Sequence, residues 1–372
     1  MEVISLAAGS SYFRSPDAAT EAAVKALKDG KTFYGPTQGT LSLRKAICNK
    51  YKADGVAITP EQVLITPGTK QALYNLFTVL LRQGDEVLVP TPAWFGFHEL
   101  MKYSSGTLVP LPTSFEEDYK LTPEMLRNAL SDRTRILVLT NPGNPTGRVY
   151  KLQELEALLE VVKDFPNLYL ISDEIYDLVT YDSPVTSILS CHGAKAARTI
   201  VVNGFSKSFA MSGWRLGFIL GPEDVVNKCV DFQNATMSGV SVFVQDAALA
   251  TVENKASVLT DMQQVLRHNR EVMRKGLEAI PEVRFFYPEG AYYFFPDFSH
   301  YLNRTSITGE TLTTSIDLCR YLRACYNLEL SPGDYFGAPG HARMSFAVET
   351  PRLEDAMRRL RQGLLLLISD QL

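Results

Sequence analysis

Short apolar runs rich in β-branched residues alternate along the chain with longer segments in which apolar residues recur at helical spacing. The runs lie at residues 63–66, 86–89, 108–111, 136–139, 168–171, 199–202 and 216–220. The helical segments around them lie at residues 17–29, 41–51, 70–81, 122–130 and 151–163. Because such short runs between helices are typical of strands buried on both faces, the alternation predicts an α/β fold. We expect a mostly parallel, seven-stranded sheet flanked by helices.

The pattern changes beyond residue 221. Helical periodicity over residues 242–280 is followed by aromatic-rich runs at 283–287 and 292–295 and by a further short run at 342–346. We interpret these runs as strands of a smaller α+β unit. The apolar segment 364–368 is too short to span a membrane and is expected to pack as a terminal helix.

Length, charge and cysteine content restrict the class of protein. The 372 residues exceed one ordinary domain, and the net charge of −4 without a basic run argues against nucleic-acid binding. The five cysteines form no Cys-x-x-Cys pair, so neither a disulfide framework nor a metal site is indicated. No signal-peptide pattern and no apolar run of about 18 residues occurs, so we expect a cytoplasmic protein without a membrane segment.

A lysine lies just beyond the predicted strand 199–202. Glycine and small hydroxyl residues surround Lys207, so a ligand could approach its backbone closely. Partial burial at the end of a strand would favour the neutral amine, which can form a Schiff base with an aldehyde cofactor. The alternative is a surface lysine in a polar turn.

Two further motifs follow predicted strands. Gly68, Thr69 and Lys70 open a helix, so their backbone N–H groups could hold a phosphate, although any turn between strand and helix favours glycine. Residues 141–147 contain two Asn-Pro pairs and two glycines. This composition indicates a tight loop whose backbone is more rigid than an ordinary turn requires. In parallel sheets, ligands bind outside the carboxyl ends of the strands, where both motifs lie.

Four charged or hydroxyl side chains are further candidates. Asp173 could pair with a protonated ring nitrogen and Tyr176 could donate to a ring oxygen, or Asp173 could cap the next helix. Arg215 is a candidate phosphate ligand because its planar guanidinium group can make two parallel hydrogen bonds to phosphate oxygens. Arg343, among apolar neighbours, is a candidate for a substrate carboxylate, and its alternative is an ion pair between domains.

In combination these motifs resemble a known family. From about residue 3 onward the chain is similar to the fold-type I, pyridoxal-phosphate-dependent aminotransferases of class I/II, most of all to bacterial aspartate aminotransferases. The motifs that carry the resemblance are Tyr-Gly-Pro-Thr-Gln-Gly at 34–39, Pro-Gly-Thr-Lys-Gln-Ala-Leu at 67–73, Asn-Pro-Thr-Gly at 144–147, Ser-Asp-Glu-Ile-Tyr at 172–176, Ser-Lys-Ser-Phe-Ala-Met-Ser-Gly-Trp-Arg at 206–215 and Ala-Arg-Met-Ser-Phe at 342–346. The resemblance implies a large cofactor-binding α/β domain at 30–255 and a small α+β domain formed by 1–29 and 256–372.

The resemblance implies the residues that carry the chemistry. Lys207 would form the Schiff base with pyridoxal 5'-phosphate and, once released by substrate, move the α-proton to the C4' carbon. Asp173 would keep the pyridine nitrogen protonated, so that the ring withdraws electrons. Tyr176 and Asn144 would bond the phenolic oxygen of the ring and lower the pKa of the imine.

Other residues are expected to hold the cofactor. The expected phosphate ligands are Gly68, Thr69, Lys70, Ser206 and Arg215. Ser206 is included because relatives often carry a hydroxyl three residues before the lysine, where this chain has Gly204. Trp94 is expected to stack on the ring face. Tyr34 matches a tyrosine that reaches the phosphate of the neighbouring subunit, which implies a homodimer with shared active sites.

The resemblance also implies a substrate site. Arg343, with the Gly9 backbone and Asn144, would bind the α-carboxylate and turn the Cα–H bond perpendicular to the ring. Trp94 would border the same space. Lys70 resembles the lysine that contacts the distal carboxylate in one aspartate-specific subgroup, which favours an acidic substrate.

We therefore expect a ping-pong transfer of an amino group from an L-amino acid, aspartate, to a 2-oxo acid, 2-oxoglutarate. One alternative is the same fold acting on aromatic, alanine or branched-chain amino acids. Another is a pyridoxal-phosphate-dependent C–S β-lyase, which eliminates instead of transferring. A more remote alternative is a non-catalytic ligand-sensing protein.

Overall fold

The computed structural model describes residues 2–369. Its strands are β1 (Ile4–Ser5), β2 (Val63–Thr66), β3 (Glu86–Thr91), β4 (Thr107–Pro112), β5 (Thr134–Thr140), β6 (Tyr169–Asp173), β7 (Thr199–Gly204), β8 (Gly217–Leu220), β9 (Tyr293–Phe294), β10 (Arg304–Thr305), β11 (Thr311–Leu312), β12 (Leu328–Glu329), β13 (Ser331–Pro332), β14 (Ala342–Ser345) and β15 (Ile368–Ser369). Its α-helices are α1 (Asp17–Lys28), α2 (Leu41–Ala53), α3 (Thr69–Leu80), α4 (Gly96–Met101), α5 (Pro123–Ala129), α6 (Leu152–Val162), α7 (Glu223–Thr236), α8 (Val242–Glu253), α9 (Lys255–Glu278), α10 (Ser315–Tyr326) and α11 (Thr350–Leu365).

The central sheet has seven strands in the order β2-β8-β7-β6-β5-β3-β4. Strand β8 is antiparallel to its neighbours β2 and β7, and the remaining pairs are parallel. The predicted α/β fold with a mostly parallel, seven-stranded sheet is confirmed. Because strands β2, β5, β6 and β7 run in one direction, their carboxyl ends meet at one edge of the sheet.

Both faces of this sheet are covered, which explains the unbroken apolar runs. In β7, Ile200 and Val202 pack in the layer that contains residues of α3 and α7. Val201, between them, packs in the layer that contains residues of α2, α6 and α8. All three are fully buried, so a polar residue at any of them would lie in an apolar core.

Smaller sheets lie outside the central one. Strand β14 pairs with β9 and β13, whereas β10 pairs with β11 and β15. Strand β1 pairs with β12, which brings the start of the chain beside these smaller sheets. Helix α1 packs on α8, and α9 packs on α11. The division of the chain into domains of 30–255 and 1–29 with 256–372 stays a prediction.

Two predicted elements differ from the structure. Residues 283–287 were expected to form a strand, but Arg284 makes only an isolated bridge to Asp297. The aromatic side chains of this segment pack against other rings: Phe285 and Tyr287 lie 5.4 and 6.1 Å from Phe294 between ring centres. The guanidinium carbon of Arg270 also lies 3.7 Å from the ring centre of Tyr287. Ring packing of this kind gives an apolar pattern without a strand ladder. The expected terminal helix over 364–368 ends at Leu365, and Ile368–Ser369 pairs with β10 instead.

Among the described residues, no helix has both the length and the apolar character to cross a membrane. The same part of the chain contains no cluster of three or more His, Cys, Asp or Glu side chains placed to hold a metal ion.

Candidate active site

A cavity of about 490 Å³ lies at the edge where the carboxyl ends of the parallel strands meet. The sequence-predicted residues that line it are Gly9, Thr69, Lys70, Trp94, Asn144, Asp173, Tyr176, Ser206, Lys207, Arg215 and Arg343. Gly68 lies beside it as the residue before helix α3. Tyr34 lies outside the cavity, with 93% of its surface exposed. The fold therefore brings together residues from both ends of the chain.

Lys207 lies in the loop after β7, and its amine faces the N-terminal segment. Its Nζ atom donates a hydrogen bond to the Gly9 carbonyl oxygen at 2.5 Å. Burial lowers the pKa of the Lys207 amine, and the positive charge of Arg343 acts in the same direction. A neutral amine is a nucleophile and a base, which are the properties that the sequence predicted for this lysine.

Asp173 is the last residue of β6 and is buried. Its Oδ1 atom accepts one backbone hydrogen bond, from the Ile175 N–H at 3.3 Å. Burial raises the pKa of this carboxyl to about 7, although the nearby charge of Lys207 opposes the shift. A buried carboxyl group that lines a cavity and has so few donors suits a cationic group on a ligand.

The turn before helix α3 forms a cradle for an anion. Gly68 has a φ of +85°, and a Cβ atom there would lie 2.6 Å from Nη2 of Arg215. At Gly217, on the neighbouring strand, a Cβ atom would lie 2.7 Å from the Thr69 nitrogen. The two glycines thus let the Arg215 guanidinium and the start of α3 approach each other. Free N–H groups at a helix start, with an arginine beside them, favour a phosphate.

Gly204 has no room for the hydroxyl that relatives often carry at this position. A Cβ atom there would lie 2.8 Å from the Leu216 carbonyl oxygen and 2.9 Å from the Gly217 Cα atom. The close passage of β7 and β8 therefore requires glycine. Ser206, two residues further on, lines the cavity instead.

Arg343 lies on β14 and is held by Asn144 and by the N-terminal segment. Its Nη1 atom donates to Oδ1 of Asn144 at 3.0 Å, and Nη2 donates to the Ala7 carbonyl oxygen at 2.8 Å. Its guanidinium carbon lies 4.4 Å from the ring centre of Tyr293. These contacts fix the plane of the guanidinium fork, and they also leave the Asn144 NH₂ group as a donor.

Lys70 and Trp94 lie together at the exposed side of the cavity. The Nζ atom of Lys70 is 5.3 Å from the Trp94 ring centre, within the range of a cation–π contact. Trp94 folds back over Gly96, where a Cβ atom would lie only 2.1 Å from the indole. Glycine at this position therefore allows the observed indole placement.

The sequence analysis missed three tyrosines. Tyr293 and Tyr335 line the cavity, and Tyr292 lies directly behind it. The hydroxyls of Tyr292 and Tyr293 donate to the Gly9 carbonyl oxygen at 2.9 and 3.1 Å, and the hydroxyls of Tyr293 and Tyr176 lie 2.9 Å apart. For Tyr292 and Tyr293 the sequence signal is the run Tyr292-Tyr293-Phe294-Phe295, which the sequence analysis interprets as a strand; Tyr335 lies outside that run.

These groups fit a phosphorylated pyridine aldehyde. The anion cradle at Gly68 and Arg215 suits its phosphate, the buried Asp173 carboxyl suits a protonated ring nitrogen, and Lys207 suits an aldehyde carbon. Each of these features is a property of the described side chains themselves. The donor set therefore matches pyridoxal 5'-phosphate.

Comparisons with known proteins agree with this geometry. Residues 1–360 match the sequence family described as "Aminotransferase class I and II". The chain is 38% identical over 371 residues to an aspartate aminotransferase of Pinus pinaster, which covers 98% of this chain and 75% of the pine protein. A solved aspartate aminotransferase from Rhizobium meliloti superposes with a TM-score of 0.93 at 31% identity, covering 98% of this chain and 92% of that one. An aromatic aminotransferase from Pyrococcus horikoshii OT3 superposes with a TM-score of 0.89 at 34% identity, covering 98% and 96%.

Proposed function

The chain belongs to the class I and II aminotransferases, and from that membership we propose that it transfers the amino group of L-aspartate to 2-oxoglutarate. The observation that carries the proposal is the convergence of Lys207, Asp173 and Arg343 on one cavity at the sheet edge. The acidic substrate is supported by Lys70, a further cation at the open side of that cavity.

We propose that the cavity binds pyridoxal 5'-phosphate, the cofactor on which this family depends. Gly68, Thr69 and Arg215 would hold its phosphate, with Ser206 beside them, and Trp94 would cover one face of its ring. Asp173 would hold the ring nitrogen, and the hydroxyl of Tyr176 would donate to the phenolic oxygen. When bound, the cofactor supplies an aldehyde that exchanges amino groups and a ring that withdraws electrons from the reacting carbon.

Arg343 and Asn144 orient the substrate in this proposal. The Arg343 fork forms charge-assisted hydrogen bonds to the α-carboxylate, while the NH₂ group of Asn144 adds a donor. Because Asn144 and Ala7 already fix the guanidinium, little side-chain freedom is lost on binding.

Lys207 acts as the base in the proton-transfer step. Burial lowers the pKa of its amine, which increases the share of the neutral form that can accept the α-proton of the substrate and release that proton again later in the transfer. Its hydrogen bond to the Gly9 carbonyl holds the amine at the cavity wall when it carries no other partner.

Lys70 is the cation left for the distal carboxylate. Besides Lys207, whose pKa burial lowers, the cavity lining contains the cationic side chains Lys70, Arg215 and Arg343 and the single carboxyl of Asp173. Arg215 is assigned to the phosphate, Arg343 to the α-carboxylate and Lys207 to the chemistry. A second substrate carboxylate would therefore complete the charge balance at Lys70.

Replacing Lys70 with methionine is expected to lower kcat/KM for aspartate by about 10–100-fold, because a charge-assisted hydrogen bond contributes about 1.5–3 kcal/mol. The value for alanine, which has no distal carboxylate, should stay near that of the wild type. Initial rates with 2-oxoglutarate and aspartate, alanine or phenylalanine measure this difference. Lys102→Met, at an exposed lysine paired with Glu99, is the matched control. An equal loss for all three amino acids would place Lys70 at the phosphate instead.

The same panel of substrates separates the alternatives. An aromatic preference has support from the exposed Tyr335 and Phe95 rings in the cavity lining and from the likeness to the Pyrococcus horikoshii enzyme. A clear preference for phenylalanine over aspartate would establish it. Release of pyruvate and ammonia from a β-substituted amino acid would indicate the lyase. Ligand binding without amino-group exchange would indicate a sensor.

We propose that the enzyme is a homodimer in which Tyr34 reaches the phosphate site of the neighbouring subunit. Tyr34 and the adjacent Phe33 are 93% and 85% exposed, and Tyr34 lies outside the cavity of its own chain. Two adjacent aromatic rings exposed to this degree are typical of an interface. Sedimentation velocity of the cofactor-loaded chain is expected to give a dimer, and a fully active monomer would contradict the proposal.

A cytoplasmic location also remains a proposal. The five cysteines are free thiols, as suits a reducing compartment. Fractionation of cells should recover the protein with cytoplasmic markers, and recovery with an extracytoplasmic fraction would contradict this location.

A further inference from the structure

A buried ion pair lies beside the loops that carry Tyr176 and Lys207. The Lys50 ammonium of helix α2 donates a hydrogen bond to Oδ2 of Asp177, and the two side chains are only 10% and 12% exposed. Asp177 directly follows Tyr176 in the chain. An ion pair removed from water often stabilises a fold no better than apolar side chains of the same size would. A reason other than stability is therefore needed for a charged pair at this place.

The Asp177 carboxylate joins the loop after β6 to the loop after β7. Its Oδ2 atom also accepts from Nδ2 of Asn203 at 2.9 Å, and its Oδ1 atom accepts from the Ser208 hydroxyl at 3.1 Å. Asn203 is in the last part of β7, before Lys207, and Ser208 comes directly after Lys207. Both are fully buried. One carboxylate thus binds the segment that carries Lys207 on each side of that lysine.

Helix α2 holds the same point a second time. The hydroxyl of Tyr51, next to Lys50, accepts from Nδ2 of Asn203 at 3.1 Å. The Lys50 ammonium also neutralises the Asp177 carboxylate, which can then accept from Asn203 and Ser208 without leaving an uncompensated charge in the interior. Hydrogen bonds to an ionised group are roughly twice as strong as those between neutral groups, so this link resists displacement of either loop.

The position of Lys207 relative to Asp173 is what such a link would control. Asp173 ends β6, before Asp177 in the chain, and the proposed function assigns it to the ring nitrogen of the cofactor. Lys207 has to reach a carbon on the same ring. A misplacement of about 1 Å caused by a residue away from the chemistry can lower a rate about 10²-fold. A firm connection between the two loops therefore has a direct consequence for the reaction.

We propose that Asp177, paired with Lys50, is a positioning residue that fixes the Lys207 segment relative to Asp173 and Tyr176. The inference rests on the proposed function, which assigns the Schiff base to Lys207. Asp177 does not need to touch the cofactor or the substrate for this effect. Loss of its carboxylate should slow the reaction of the Lys207 amine and leave the rest of the cofactor site nearly intact.

The test uses the full-length, cofactor-free chain and two ligands. With pyridoxal 5'-phosphate, the Lys207 amine condenses with the aldehyde and releases water. The rate is followed by absorption, and the lysine is identified by borohydride reduction and mass spectrometry. In Asp177→Asn this rate is expected to fall about 10–100-fold. Pyridoxine 5'-phosphate has an alcohol in place of the aldehyde, so its affinity depends on the phosphate cradle and Asp173 and should stay near that of the wild type.

Two further variants accompany Asp177→Asn. Ser208→Ala removes one of the hydrogen bonds to Asp177 and leaves the ion pair intact, so it should slow the condensation to a smaller degree, again with little change in pyridoxine 5'-phosphate affinity. It decides the question if Asp177→Asn does not fold. Asp355→Asn is the matched control, because Asp355 likewise pairs with a buried cation, Arg359, on helix α11. It should match the wild type in both measurements.

The two measurements distinguish positioning from a merely structural role. An unchanged condensation rate in the folded Asp177 and Ser208 variants would overturn the proposal. So would an equal loss of condensation rate and of pyridoxine 5'-phosphate affinity, because the carboxylate would then support the whole site. If the wild type itself forms no Schiff base at Lys207, the proposed function fails and the inference fails with it.

Discussion

Replacing Lys207 with alanine is expected to lower the rate of amino-group transfer by at least about 10²–10⁴-fold, the usual contribution of a general base. The loss should exceed that of any other single substitution, because the same amine is also the nucleophile. Lys207→Arg should be equally inactive, since a guanidinium stays charged where a neutral amine is needed. Steady-state transfer from aspartate to 2-oxoglutarate measures both variants.

The control for Lys207 is Lys163→Ala, which removes an exposed lysine at the C-terminal end of helix α6 and its surface pair with Glu160. Its rate should match the wild type, because exposed ion pairs contribute little. Reduction with borohydride should attach the cofactor covalently to the wild type and to Lys163→Ala but not to Lys207→Ala. Substantial turnover by Lys207→Ala would show that another group performs the chemistry.

Replacing Asp173 with asparagine is expected to lower kcat by about 10²–10³-fold, the usual cost of removing one preorganised electrostatic partner. The amide is similar in size to the carboxyl group, so packing at the end of β6 is preserved while the negative charge is lost. Cofactor affinity should fall as well, and a titration of cofactor fluorescence would show it. An Asp173→Asn variant with unchanged kcat would mean that this carboxyl only supports the turn.

The stability of the cofactor-free protein provides the control for Asp173. Burial raises the pKa of this carboxyl to about 7 from its ordinary 3.8, so the unfolded chain ionises at lower pH than the folded one. The free energy of unfolding of the wild type therefore falls as the pH rises from about 4 to about 7. The Asp173→Asn variant has no ionisable group at this position, so it does not show this loss of stability. Urea unfolding should find the variant at least as stable as the wild type at pH 8, with the relative gain vanishing near pH 4. A variant less stable at pH 8 would contradict this account of the site.

Much of the site could be predicted because of one topological rule. The ends of parallel strands meet at one sheet edge, so Gly68, Asp173 and Lys207, each just after an apolar run, had to lie near one another. The same runs predicted the seven-stranded sheet, since side chains on both faces of β7 are buried. Arg343 was a candidate from its apolar neighbours, whereas Gly9 came only from the family resemblance. Nothing in the local sequence of either residue indicates that Arg343 contacts the N-terminal segment.

The remaining features depend on contacts that no local pattern shows. In the sequence, Tyr292 and Tyr293 belong to an aromatic run typical of a strand. In the structure, their hydroxyls donate hydrogen bonds to the Gly9 carbonyl oxygen, more than 280 residues away in the chain. The segment 283–287 has the same appearance but forms no ladder: Arg284 makes only an isolated bridge to Asp297, while Tyr287 packs against Phe294 and Arg270. The spacing of apolar residues along a sequence indicates which side chains are buried, but it does not indicate which backbone groups form hydrogen bonds with each other.

The most direct test of the account is a single-turnover measurement with L-aspartate and no 2-oxo acid. The cofactor-loaded chain should release about one oxaloacetate per subunit and then stop, because the amino group stays on the enzyme until an oxo acid removes it. Addition of 2-oxoglutarate should restart the reaction and produce glutamate in equal amount. Continuous release of oxo acid with ammonia, or no release from aspartate, would contradict an aspartate aminotransferase.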